Sequence, residues 1–195
     1  INLSCGSTHP ERLCELVRRE HLDVGFAFDG DGDRCIAVDE NGALVDGDGI
    51  LYVLAKRLRA RGMLENNTVV ATVMSNSGLV SGLKKLGIKC EQTAVGDRFV
   101  YECMQENDYS LGGEKSGHII IKKYATTGDG LLTAIMLAEE VCDTKKSLGA
   151  LTEGLTVYPQ LVKNVKVKDK DAVFNDEAVK QAFADVEALI AGEGR

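Results

Sequence analysis

The chain has 195 residues, a formal net charge of −7, and 44% apolar against 27% charged residues. That balance is ordinary for a globular protein of one large or two small domains. The acidic charge argues against nucleic acid, whose capture runs on basic patches, and no apolar stretch approaches the roughly 20 residues that cross a membrane.

Along the chain, strand-like and helix-like patterns alternate. Residues 24–28 are a short apolar run read as a strand, and residues 35–38 are its returning partner. Asp39-Glu40-Asn41-Gly42 reads as a tight turn around Asn-Gly, with residues 43–45 pairing back. Asp46 or Asp48 caps a helix over 50–61 whose apolar face is Ile50, Leu51, Leu54 and Leu58, and Gly62 ends it. The β-branched run 68–73 is a buried strand. Ser75-Asn76-Ser77-Gly78 opens a helix through Leu86, stopped by Gly87, and residues 88–93 form a further strand. Gly96-Asp97-Arg98 starts a helix over 99–107, and residues 110–111 and 118–121 flank a glycine-rich loop. Gly128-Asp129-Gly130 opens a long helix through Val141. After Leu155 the character changes: residues 160–167 alternate Leu161, Val165 and Val167 with polar neighbours like an exposed-face strand, and a helix follows over 176–190. The order predicts an α/β layered domain with a mostly parallel mixed sheet, the tail opening another domain. In such sheets ligands bind at loops leaving the carboxyl ends of strands, which is where residues 29–34 and 112–117 fall.

The first of these loops is Asp29-Gly30-Asp31-Gly32-Asp33-Arg34. Two like charges at roughly 4 Å repel by about 4 kcal/mol at an effective dielectric of about 20, so three converging carboxylates call for a cation. Oxygen ligands select Mg²⁺, Ca²⁺ or Mn²⁺, and the glycines let the loop aim its acids at one point. Arg34 adds a fixed cation suited to phosphate. An EF-hand is the rival reading, because Asp29, Asp31, Asp33 and Glu40 fall at its positions 1, 3, 5 and 12. It fails at position 6, where Arg34 replaces the turn glycine, and in the apolar run that precedes the loop. A metal-free solvated turn is the plain alternative.

The second loop, Gly113-Glu114-Lys115-Ser116-Gly117-His118, offers hydroxyl-directed groups suited to a sugar, or is a plain hairpin turn. His118 is either a proton carrier or a structural histidine. Asp97 and Arg98 form an internal ion pair at a helix start or face an anionic substrate. Cys5-Gly6-Ser7-Thr8-His9-Pro10 has no base partner for a nucleophile. The six cysteines match no zinc spacing and read as reduced thiols of a cytoplasmic protein.

The acidic loop, the glycine loop, their order and their separation resemble the α-D-phosphohexomutases. Cys5-Gly6-Ser7-Thr8-His9-Pro10-Glu11, Val95-Gly96-Asp97-Arg98-Phe99-Val100 and Tyr158-Pro159-Gln160 point to its bacterial hexosamine-phosphate branch. The resemblance implies four domains around one cleft. Residues 1–43 would be the end of the second domain, 44–155 a complete three-layer α/β/α third domain, and 156–195 the start of the fourth. The phosphoserine loop of the first domain and the phosphate loop of the last would lie outside this chain, which alone is expected to be inactive. Carried over, Asp29, Asp31 and Asp33 would bind Mg²⁺, and Arg34 would contact the transferring phosphate. Glu114 and Ser116, with Gly113 and Gly117, would hold sugar hydroxyls, Asp97 and Arg98 would face substrate, and His118 would help proton transfer. The activity implied is exchange of glucosamine 6-phosphate and glucosamine 1-phosphate through a bisphosphate. Glucose or mannose phosphates, or a non-catalytic cation-binding module, are the alternatives.

Overall fold

The structure, a computed structural model, describes residues 3–191, and the chain divides into two compact units, Ile1–Val157 and Tyr158–Arg195. The first unit carries two sheets. Strands β1 (Gly25–Phe28), β2 (Cys35–Val38) and β3 (Leu44–Val45) make an antiparallel sheet in that order. Phe28 pairs with Cys35, so residues 29–34 are the connection of a hairpin. Strands β4 (Thr68–Thr72), β5 (Lys89–Thr93), β6 (Leu111–Gly113) and β7 (Ile119–Ile121) make a mixed sheet ordered β5-β4-β6-β7. It is parallel across β4/β5 and β4/β6 and antiparallel across β6/β7, the α/β architecture that the element order predicts.

Six helices complete this unit among the described residues: α1 (Glu11–Glu20), α2 (Gly47–Ala60), α3 (Ser77–Lys85), α4 (Asp97–Glu106), α5 (Gly130–Thr144) and α6 (Leu148–Thr152). The path from β4 through α3 to β5 steps one way across the sheet, and the path through α4 to β6 steps back past β4. Right-handed crossovers therefore place α3 and α4 on opposite faces. The two-residue period of β4 agrees. Val69 and Ala71 join the core that holds Leu79 and Leu83 of α3, whereas Val70 packs with Val100 and Met104 of α4.

Helix α2 departs from the expected single apolar face. Tyr52, Val53 and Ala55 are as buried as Ile50, Leu51, Leu54 and Leu58, because α2 packs against α3, α5, α6, β6 and the antiparallel strands β2 and β3. A helix enclosed on every side from Gly47 to Ala55 has no solvent face to keep polar there, and only its last residues, Arg59 and Ala60, are exposed. Its N-terminus is capped by Asp46, which accepts from the Asp48 and Gly49 amides. Further along, Arg57 is 2% exposed. Its guanidinium meets Glu139 at 2.5 Å, Glu140 at 2.8 Å and Asp143 at 3.2 Å on α5.

Helices α1 and α6 have no counterpart in the sequence reading. In the second unit, α7 (Lys170–Asn175) was likewise not expected, while α8 (Glu177–Ile190) starts on its Asp176 cap where the pattern placed it. The strand expected over 160–167 is absent, and these residues are irregular and exposed. Alternation alone does not make a strand: with no neighbouring strand to pair with, its backbone groups are better left to water. No helix among the described residues is long and apolar enough to cross a membrane.

Two outcomes test these contacts. Arg57→Ala leaves the largely buried Glu140 without its cation and is expected to cost about 3 kcal/mol in urea unfolding; a loss well below about 1 kcal/mol would show that the cluster does not bind α2 to α5. Glu40, in the β2–β3 turn, accepts the Ser147 hydroxyl at 2.6 Å and the Gly149 amide at 3.0 Å. Burial pushes its carboxyl up, but these donors win and hold it below the ordinary glutamate value of 4.5. A depressed carboxyl gives stability that is complete above its unfolded value and is lost as pH falls through its folded value. Glu40→Gln should therefore be less stable than the parent at pH 7, by about 1–2 kcal/mol. That gap should close as pH drops below the ordinary glutamate range; a gap constant throughout the acid limb contradicts the assignment.

Candidate active site

The acidic loop leaves β1 at Asp29 and re-enters the sheet at Cys35. Gly32, with φ +77°, turns the chain in the left-handed region that glycine adopts without strain. Asp29, Asp31 and Asp33 each bring one carboxylate oxygen within 4.8 Å of the others. Arg34 closes the loop on itself: its amide donates to Asp29 Oδ1 at 3.2 Å, and its Nε lies 3.3 Å from Asp29 Oδ2. Burial works against ionisation of Asp29, yet the Arg34 amide, Asp33 and the Arg34 charge hold it below the usual carboxylate range. Burial and then Asp29 push Asp33 above that range. Asp33 Oδ1 is buried and accepts no hydrogen bond, with Arg34 Nε 3.8 Å away.

The glycine loop joins β6 to β7 as a tight hairpin, with the Glu114 amide bonded to His118 O and the Gly117 amide to Glu114 O, both at 3.0 Å. The two loops are laced together by backbone. Cys35 N–H donates to Gly117 O at 3.0 Å, and Arg34 and His118 form an antiparallel bridge. The His118 side chain lies under the acidic loop, with Nδ1 2.9 Å from Asp33 Oδ2. The start of α2 supports the same loop through Gly47 N–H to Lys115 O at 3.0 Å. Ser116 is exposed at the tip.

The third segment, at the start of α4, is brought to the other two. Gly96 N–H donates to Glu114 Oε1 at 3.0 Å, and Asp97 Oδ2 comes within 3.9 Å of His118 Nε2. Arg98 does not join them. It is largely exposed and ion-pairs with Glu102 at 2.7 Å, one helical turn on. The candidate site thus gathers Asp29, Asp31, Asp33, Arg34, Asp97, Glu114 and His118 within one unit.

Residues 46–158 match the family model of phosphoglucomutase/phosphomannomutase, α/β/α domain III, and residues 7–42 match that of domain II. The chain belongs to the phosphoglucomutase/phosphomannomutase family. The phosphoglucosamine mutase of Lachnospira eligens is 53% identical over all 195 residues, which make up 43% of that relative. The chain therefore spans less than half the length of the curated relatives it matches. Among solved structures, a phosphoglucomutase/phosphomannomutase family protein of Burkholderia thailandensis superposes with a TM-score of 0.67 at 28% identity, over 80% of this chain and 34% of that one. An N-acetylphosphoglucosamine mutase of Aspergillus fumigatus, in complex with GlcNAc-6P and magnesium, shares the fold with a TM-score of 0.71 at 18% identity, over 96% of this chain and 48% of its own.

Sequence reasoning passed over three glycines of this family member's site. Gly128 donates its amide to His118 Nε2 at 2.9 Å, Gly130 donates to Gly32 O at 3.0 Å, and Gly47 underlies the glycine loop. Their signal is present, as Gly-x-Gly spacing at two helix starts, but the same spacing serves helix starts that touch nothing. What distinguishes them is close approach. A Cβ on Gly47 would stand 1.9 Å from Glu114 O, whereas one on Gly30 would meet nothing within 4 Å. Gly47→Ala is accordingly expected to lose about 2 kcal/mol or more in thermal unfolding, and Gly30→Ala to stay within about 0.5 kcal/mol. Equal effects at the two positions would show that the loop is not held by this contact.

Proposed function

We propose that the protein to which this chain belongs interconverts glucosamine 6-phosphate and glucosamine 1-phosphate, and that these residues supply its metal loop and its sugar loop. The observation that carries the reading is the convergence of three carboxylates and Arg34 beside the Glu114 loop. The choice of sugar rests on 53% identity to a phosphoglucosamine mutase along the whole chain. The resemblance adds a phosphoserine, contributed by a part of the protein outside these residues, and a bisphosphate intermediate. Residues 1–43 and 44–155 would act as the end of the second domain and the third domain, with 156–195 beginning the fourth. Free cysteines throughout suit a cytoplasmic setting.

The residues present fit Mg²⁺. The donor set is all oxygen, hard and anionic, and Asp33 Oδ1 is buried without a hydrogen bond, its nearest cation the Arg34 Nε at 3.8 Å. Asp29, Asp31 and Asp33 would hold the ion, which when bound neutralises charge on phosphoryl oxygens. The remaining work falls to side chains. Arg34, tethered to Asp29, keeps its guanidinium at the loop, where it orients the transferring group and offsets its charge. Glu114, held by the Gly96 amide, presents its carboxylate to sugar hydroxyls, and Ser116 at the exposed tip adds a hydroxyl that both donates and accepts. A substrate that reacts at both ends suits such hydroxyl-directed contacts, which survive when the sugar turns over. Asp97, whose carboxylate lies 3.9 Å from His118 Nε2, would face the substrate.

The full-length protein should turn over glucosamine phosphate in preference to glucose and mannose phosphates in a coupled assay, and chelation of Mg²⁺ should abolish turnover. Asp31→Ala changes an exposed side chain, so it should fold with an unchanged melting curve while losing about a hundredfold or more in kcat/KM, about 3 kcal/mol of barrier. Full activity in that variant would remove the metal loop from the mechanism, and a preference for glucose or mannose phosphate would reassign the substrate.

A further inference from the structure

The mixed sheet opens like a fork at the end that carries the glycine loop. Strand β4 pairs with β6 at Val69–Leu111 and Val70–Gly112, and there the register ends. Beyond it Ala71 and Thr72 pair with Gln92 and Thr93 of β5, while Gly113 pairs with Ile119 of β7. The strand order reverses at β4, and in α/β sheets ligands lie in the crevice at the carboxyl ends of strands beside such a reversal. One side of this crevice is the turn of residues 73–76, which leaves β4 with Val73 and Met74 exposed at its lip. The other side is the glycine loop, which leaves β6. The β4–β6 ladder stops short of both, so something else must set the distance between them.

The first turn of α2 stands in the fork and is bonded to both sides. Gly47 N–H donates to Lys115 O at 3.0 Å, and the space where its Cβ would be is filled by Glu114 O. The next residue, Asp48, accepts the Asn76 amide on Oδ2 at 2.7 Å. Sequence left Asp46 and Asp48 as rival helix caps; Asp46 takes that part, and Asp48 is turned to the β4–α3 turn instead. It is 3% exposed, with Ser75 and Asn76 buried against it. We infer that Asp48 is a positioning residue for the sugar site: with Gly47 it holds the β4–α3 turn and the glycine loop at one separation, and so fixes where Glu114 stands in the crevice. The inference deepens the function proposed above and rests on it for the identity of the substrate. Burial pushes the Asp48 carboxyl above the ordinary aspartate value, and the Asn76 amide offsets this only in part. A carboxylate kept in such a place for its shape and its acceptor oxygen can give up its charge, but not its length.

The test uses the full-length protein, with turnover of glucosamine phosphate measured beside calorimetric Mg²⁺ binding. Asp48→Asn keeps an oxygen for the Asn76 amide and should stay within about threefold of the parent kcat/KM. Asp48→Ala lets the turn go, and Asp48→Glu is one methylene too long for the gap. Each should lose about 10–100-fold in kcat/KM, the effect of misplacing a substrate-orienting group by about 1 Å, with Mg²⁺ affinity as in the parent. Because Asp48 acts through Glu114, adding Asp48→Ala to Glu114→Gln should cost no more than about twofold beyond Glu114→Gln alone. The inference is overturned if folded Asp48→Ala and Asp48→Glu keep the parent kcat/KM, the pattern of a carboxylate that serves stability only, or if the two losses multiply in full in the double variant. A fall in Mg²⁺ affinity that matches the fall in turnover would overturn it too, by assigning Asp48 to the acidic loop. Should Asp48→Ala not fold, the Asn and Glu variants decide by the same ratio. A parent that turns over glucose or mannose phosphate instead would sink the proposed substrate, and the same ratios then judge Asp48 with that sugar. A parent inactive on every hexose phosphate would sink both.

Discussion

The candidate site depends on one junction, where the antiparallel hairpin and the glycine loop are joined edge to edge by backbone. Cys35 donates to Gly117, and Arg34 bridges His118. Backbone bonds of this kind fix position to a fraction of an ångström whatever the side chains do. Arg34 thereby becomes at once the end of the acidic loop and the neighbour of the sugar-loop histidine. The join is possible because Gly117, at φ +95°, puts no Cβ where Cys35 O lies, at 2.3 Å from where that carbon would be.

Around this junction the structure tolerates an electrostatic cost. Asp29 and Asp33 sit close enough to move each other's proton affinity in opposite directions. What offsets the repulsion comes from two stretches of chain: the guanidinium of Arg34 and the imidazole of His118. A loop that carries like charges together needs such a rigid surround, since an unsupported one would splay into water. Helix α2 supplies the stiffness beneath it. Buried along most of its length and tied to α5 through Arg57, it carries at its first turn the glycine that props the sugar loop.

Three short segments far apart in sequence, around residues 29–34, 96–97 and 113–118, therefore report on one another. Gly96 holds Glu114, Asp97 stands beside His118, and His118 holds Asp33. A change in any one moves the hydrogen-bond partners of the next.

Much of this was legible in the sequence. Apolar and β-branched runs marked β1, β2, β4 and β7, which are largely buried, whereas β5 (KCEQT) is mostly exposed and β6 (LGG) carries no such run. Asp46 or Asp48, Ser75-Asn76-Ser77-Gly78 and Gly128-Asp129-Gly130 announced helix starts, and the structure caps them with Asp46, Asn76 and Asp129, whose side chains satisfy amides that the helix itself leaves unpaired. The acidic loop stood out, because clustered like charges repel one another unless a cation or solvent offsets them. Only the tertiary structure decided the rest. It buried all sides of α2, denied residues 160–167 a strand, turned Arg98 to Glu102, and showed that Gly128, Gly130 and Gly47 are close contacts and not mere helix openers. Local preference is written in a residue and its near neighbours. Enclosure, strand pairing and the space where a Cβ is missing are properties of segments that meet only when the chain has folded.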